Sequence, residues 1–379
     1  MLKNIVSFIP SIGVSLGLSV LMAADMAMAL SPPFAPVAAG TVFADSSALD
    51  LEIDAPLHDI FKLRSDDGSI EAKKFKVAGK LRYSGANGSR IEIAAQFNMK
   101  GFSSIHLCNF PKLELKLDPA GAAGTIFEGT KSIDLNTHCD YKKTDWISKE
   151  ANYTHREEII YQIAKALEVP TFNSRPVFVR YLNTGIPDFD SSKTYPAFLL
   201  EDTGALKKRL GATELKSVSD GFKDGEVAKD PSKEAEYIFR SITETDQADP
   251  EDAARIALFE ALIVNHDWFV SVKPEHFRFP NGQDRLWNIK VLKLKTGEVV
   301  PFPQDFNFAT ILSGQSYFDL RKDIYDVVDR ASQKKIEDIF VAKKAAVYAA
   351  IDKMTGDPEG KASFRKSVDS FYLELIRRQ

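Results

Sequence analysis

From Leu51 to Leu135 apolar and polar residues mostly alternate. Phe75-Lys-Val-Ala-Gly-Lys-Leu-Arg-Tyr83, Arg90-Ile-Glu-Ile-Ala-Ala-Gln-Phe97 and Lys112-Leu-Glu-Leu-Lys-Leu117 each follow the period of two that puts successive side chains on opposite faces of a strand. Gly85-Ala-Asn-Gly-Ser89 between the first two reads as a hairpin turn. The pattern predicts a half-exposed antiparallel sheet. A helix is expected from Tyr153 to Leu167, stopped by Pro170, then a strand pair at Arg175–Leu182 and Tyr195–Leu200. Residues 211–249 are polar and of mixed charge, and read as an insertion or loop. Pro250 opens a strong helix reaching towards Asn265. Short strands follow at Phe277-Arg-Phe279 and Leu286–Leu294, with Thr296-Gly297 turning the chain. Helices are expected over 333–353 and 361–377, separated by Gly356-Asp-Pro358. Strands dominate early and helices late, and no internal repeat is visible.

The N-terminus departs from this pattern. No charge occurs between Lys3 and Asp25, and Ile5–Ala24 is mostly apolar and small. Ala27-Met28-Ala29 then supplies an Ala-x-Ala cleavage pattern. A basic start, an apolar middle and a small-residue end describe a secretory signal. An uncleaved anchor is the competing reading, because the stretch nearly spans a bilayer. Pro10, two internal glycines and the cleavage pattern favour the signal. The expected organisation is a signal peptide at 1–29, a flexible lead-in at 30–49, a strand-rich part at 50–200 and a helix-rich part at 201–379. No transmembrane segment is expected after signal cleavage. The expected location is the periplasm or the medium.

Composition narrows the function. The chain has 379 residues, 44% hydrophobic, with 49 Lys plus Arg against 53 Asp plus Glu. That apolar content excludes disorder, and a net charge of −4 argues against a nucleic-acid partner. Cys108 and Cys139 are the only cysteines. Export permits a disulfide between them, closing a loop of about 30 residues worth about 3–4 kcal/mol. Two buried thiols are the alternative.

No phosphate-binding glycine loop, nucleophile elbow or zinc-protease helix motif is present. Two polar clusters stand at the ends of regular elements: Asn265-His-Asp267-Trp268, and Pro301-Phe-Pro-Gln-Asp305-Phe-Asn307-Phe308. A carboxylate in either place could hold Mg²⁺ or act as a base. The plainer reading is a helix C-terminal Asn with a turn Asp, and an Asp-x-Asn turn.

The order of these pieces resembles the spore-coat CotH-type kinase family, in a divergent exported bacterial branch, over roughly residues 75–345. Arg82-Tyr-Ser-Gly-Ala-Asn-Gly-Ser-Arg90 and Phe110-Pro-Lys112-Leu-Glu-Leu-Lys116-Leu stand where that family has a basic strand and a lysine strand. Glu201 ends the later strand pair, Asn265-His-Asp267 matches an Asn-x-Asp motif, and Asp305-Phe-Asn307 matches an Asp-Phe-Asp-like motif. Cys108-Asn-Phe-Pro111 and Thr137-His-Cys139 also match the branch.

The resemblance implies an α+β, atypical protein-kinase-like two-lobed fold, with a strand-rich N-terminal lobe and a helix-rich C-terminal lobe. It implies ATP and Mg²⁺ as cofactors and transfer to a protein or envelope hydroxyl. Lys112 or Lys116 would meet the phosphates, with Arg90 and Glu201 also on the nucleotide side; Glu201 would pair with the lysine or support the metal. Asp305 and Asn307 would hold the metal, and Asp267 would orient the acceptor. Asn307 replaces a carboxylate of the family motif, and the carboxamide expected after Asn-x-Asp is missing, His276 lying nearest. A degenerate kinase-like envelope scaffold or binding protein is the rival expectation. A carbohydrate-binding protein is a third, resting on export and on 26 Phe plus 11 Tyr.

Overall fold

A computed structural model describes residues 37, 40–64, 73–101, 103–141, 153–215, 249–265, 288–314, 328–354 and 356–378. The expected signal at 1–29, Asp267 with its neighbour His266, His276, the strand at 277–279 and most of the polar insertion lie outside these residues.

The alternating segments form strands β1 (Leu49–Asp54), β2 (Val77–Ser84), β3 (Arg90–Met99), β5 (Leu113–Leu117), β6 (Ser132–Asn136), β8 (Ser174–Leu182) and β9 (Tyr195–Glu201). The β2–β3 hairpin turns where expected: Gly85 N–H donates to Ser89 O at 2.8 Å, and Gly88 takes a φ of +77°. Left-handed backbone of this kind suits a residue without a Cβ.

The half-exposed antiparallel sheet expected from the pattern closes on itself as a barrel in the order β1-β2-β3-β5-β6-β9-β8. Closure comes from a parallel pairing of β1 with β8, in register from Leu49 opposite Val177 to Asp54 opposite Leu182. Leu51, Ile53, Leu81, Ile93, Phe97, Leu113, Leu115, Ile133, Leu135, Val177, Val179 and Leu199 fill the interior. Their polar neighbours stand outside, as alternation requires.

This overturns the expected kinase-like two-lobed fold. The strand-rich part is a sealed barrel with its own core rather than an open sheet forming one lobe of a cleft.

A second core lies outside the barrel. It joins α4 (Tyr153–Ala166), α5 (Thr203–Leu210), α6 (Pro250–Leu262), a sheet of β10 (Thr213–Leu215), β11 (Ile289–Lys293) and β12 (Val299–Pro303), and the helices α7 (Arg330–Ala342), α8 (Lys344–Asp352) and α9 (Pro358–Arg378). Two single-turn helices, α1 (His58–Phe61) and α3 (Pro119–Ala122), pack on β3, and a third, α2 (Ser103–Leu107), lies between β3 and β5 in the chain. Asp249 caps α6 by accepting from Glu251 N–H at 2.9 Å, and Pro250 occupies its first turn. The helix expected over 333–353 is two helices, parted at Lys343, where ψ is 5°. Strands β4 (Cys108–Phe110) and β7 (Cys139–Tyr141) form a separate two-stranded ribbon. Among the described residues no helix is long and apolar enough to cross a membrane.

Candidate functional site

Helix α4 is wedged between the two cores, packing on β8 and β9 on one side and on α8 on the other. Consequently one turn of it, Thr154-His-Arg-Glu-Glu158, is buried although four of its five residues are ionisable. Burial of such groups demands partners. Thr154 Oγ1 donates to Thr137 O at 3.1 Å. His155 Nε2 lies 3.0 Å from both Val177 O and Ala197 O. Arg156 Nε and Nη2 donate to Asp357 at 2.5 and 3.2 Å, and Nη1 donates to Leu312 O at 2.7 Å. Glu158 accepts from Gln162 Nε2 at 2.6 Å and Ser174 Oγ at 2.8 Å.

Glu157 is the exception. It is 5% exposed, and its Oε1 accepts no hydrogen bond from the described residues. Lys112 Nζ lies 3.9 Å from this oxygen. Burial pushes the Glu157 carboxyl up to about 7, against the pull of Lys112.

Lys112 stands just before β5, on the outer face shared with Glu114 and Lys116. Its N–H donates to Ser104 Oγ at 2.6 Å, and its C=O accepts from Lys100 N–H at 2.8 Å. Its Nζ also donates to Asp305 Oδ1 at 3.2 Å, joining residues 193 apart in sequence.

Asp305 leaves β12 in the left-handed region, at φ 61° and ψ 62°. Its N–H donates to Tyr161 Oη at 3.4 Å. Phe306 anchors the turn in the second core, 4.8 Å from the Tyr161 ring and 5.6 Å from the Phe259 ring. Asn307 Oδ1 is buried with no hydrogen-bond partner among the described residues. Lys112, Glu157 and Asn307 share the lining of a cavity of about 50 Å³ with His138 and Tyr153. Burial drives the His138 imidazole down to about 4, so it is neutral at pH 7.

The sequence-derived candidates therefore separate. Lys112 and Asp305 meet, and Asn307 lines the cavity with Lys112. Lys116 pairs with Glu114 at 3.7 Å on the outer face. Arg90 is exposed and pairs with Glu52, which also binds Arg180, on the outer face of the barrel. Glu201 accepts from Arg209 Nε and Nη2, both at 2.8 Å, and from Asn173. It therefore closes the end of β9 and is not the carboxylate beside the lysine. Asn265 turns inward and donates to Glu260 Oε2 at 2.9 Å.

The residue missed in the sequence is Glu157. Its trace there is the charged run Arg156-Glu-Glu158 directly before the apolar Ile159-Ile160 of the helix.

The Cys108–Cys139 disulfide is formed, and both half-cystines line the cavity. Among the described residues no three His, Cys, Asp or Glu are grouped to hold a metal ion. Asp305 and the unpartnered Asn307 oxygen offer two hard donors. These are the hard oxygen types that Mg²⁺ prefers, but Asp305 is half-exposed while the Asn307 oxygen is buried. No protein-family model matches the chain, and no curated protein matches it.

Proposed function

We propose that Lys112, Glu157 and Asp305 form a phosphate-binding site, and that the chain is an exported phosphotransferase using a nucleoside triphosphate such as ATP with Mg²⁺. The observation that carries the reading is the Lys112 ammonium poised between a buried carboxylate and a half-exposed one. Phosphoryl transfer needs a fixed cation on the phosphates, a carboxylate that orients it and a carboxylate for the metal. Glu157 orients Lys112 from the buried side. Asp305, the more exposed carboxylate, faces the ligand with Asn307. When bound, Mg²⁺ neutralises phosphate charge. The resemblance of the Asp305-Phe-Asn307 and Asn265-His-Asp267 motifs to the CotH-type family points the same way. In this reading Asp267 orients an acceptor hydroxyl on a protein or envelope polymer. Side chains and motifs support this reading, and likeness of fold does not.

A binding protein without catalysis is the second reading, favoured by Asn307 standing where a carboxylate would strengthen the metal site. Thermal unfolding with ATP or GTP, with and without Mg²⁺ or Mn²⁺, tests both readings. A ligand at 100 times its Kd stabilises by about 2.7 kcal/mol, enough to raise the Tm by several degrees. The proposal expects that rise only with metal and nucleotide together. No rise with any combination contradicts it. A rise without phosphate transfer to a hydroxyl selects the second reading.

A further inference from the structure

The Cys108–Cys139 bond joins two walls of the cavity. One wall runs from Cys108 to Lys112, and the other carries His138 and Cys139. The β4–β7 ribbon formed by these walls pairs Cys108 with Tyr141 and Phe110 with Cys139, is tied by Thr137 Oγ1 donating to Phe110 O at 2.7 Å and Asn109 Nδ2 to Asp140 Oδ2 at 3.2 Å, and adds no strand to the barrel. Cys139 and Asp140 both hold left-handed backbone, at φ 62° and 52°. Asp140 tolerates this conformation, but Cys139 holds it only while its surroundings enforce it. Four residues after Cys108, Lys112 lines the cavity and donates to Asp305 Oδ1 at 3.2 Å.

We propose that this disulfide is a redox latch on the site: the oxidised chain holds Lys112 against Asp305 and Glu157, and the reduced chain does not. A dithiol reductant supplies two electrons and two protons. The Cys108–Cys139 S–S bond breaks, two thiols form, and the reductant becomes a disulfide. The ribbon then loses its covalent closure, the left-handed Cys139 relaxes, and the Lys112 wall moves away from the Asp305 turn. For an exported chain this keeps the site unassembled in a reducing cytoplasm, where nucleotide is plentiful, and assembles it after export. That meaning rests on the phosphate-site proposal. The coupling of the bond to the Asp305 turn does not.

Hydrogen exchange of the full chain, oxidised and after dithiothreitol with thiol titration, tests the coupling without nucleotide. The Cys108→Ser/Cys139→Ser variant serves as a permanently open reference. On reduction, exchange at the Asp305 amide and across 303–309 should rise about tenfold while barrel strands β3 and β6 stay protected. The variant should match the reduced chain under both conditions. Faster exchange confined to 108–110 and 137–141, with the Lys112 amide and 303–309 unchanged, overturns the latch. So does global loss of barrel protection, which makes the bond a plain staple. Coupling seen in a chain that binds no nucleotide in either state supports the latch and refutes the phosphate-site proposal.

Discussion

Glu157→Gln isolates the electrostatic cost built into the site. The substitution keeps the shape of a side chain that is 5% exposed and removes its charge. The Glu157 carboxyl rises from 4.5 to about 7 in the folded chain, chiefly through burial. Between those values the folded state holds a proton that the unfolded state has released, so stability falls as pH climbs through this window. At about 1.4 kcal/mol per pH unit, the penalty is about 3 kcal/mol once pH exceeds 7. Glutamine carries no such penalty. Urea unfolding of both proteins at pH 5, 6, 7 and 8 reads the difference. The variant should gain little at pH 5 and up to about 3 kcal/mol at pH 8, while losing affinity for nucleotide. Greater stability of the native protein at pH 8, or a difference independent of pH, would refute the account of Glu157 as a buried charge kept for function.

Two other perturbations follow from the same helix and cavity. Arg156→Ala leaves Asp357 buried without its guanidinium and should cost about 3–5 kcal/mol in urea unfolding, against a small change for exposed Arg365→Ala. His138→Gln should remove part of the acid lability. The imidazole falls from 6.5 to about 4 in the folded chain, so its contribution is present above 6.5 and lost as pH drops towards 4, which Tm values at pH 4.5 and 7 would show.

Local periodicity carried much of the secondary structure. The β2–β3 hairpin, β5, β8, β9, α4 and α6 lie where alternation, Gly85-Ala-Asn-Gly-Ser89, Pro170 and Pro250 place them. Barrel closure was not legible. It depends on β1 lying parallel to β8, more than a hundred residues away, and alternation describes the faces of a strand without naming its neighbours. The same limit governed the site. Lys112 and Lys116 share one strand face and are equivalent by pattern, and only the positions of α4 and the Asp305 turn distinguish them. Glu201 looked suitable as a strand-end carboxylate until Arg209, eight residues later, folded back on it. Glu157 was hidden because a charged triplet in a helix is ordinarily solvent-facing, whereas here a second core covers it.

In the proposed site Lys112 meets phosphate with Asp305 and Glu157 around it. Calorimetric titration of Mg²⁺ with ATP into the oxidised chain, and into Lys112→Met, tests it most directly. A charge-assisted contact of about 1.5–3 kcal/mol predicts binding that requires Mg²⁺ and weakens about 10–100-fold in the variant. Absence of binding to the native chain, or equal affinity in Lys112→Met, would contradict it.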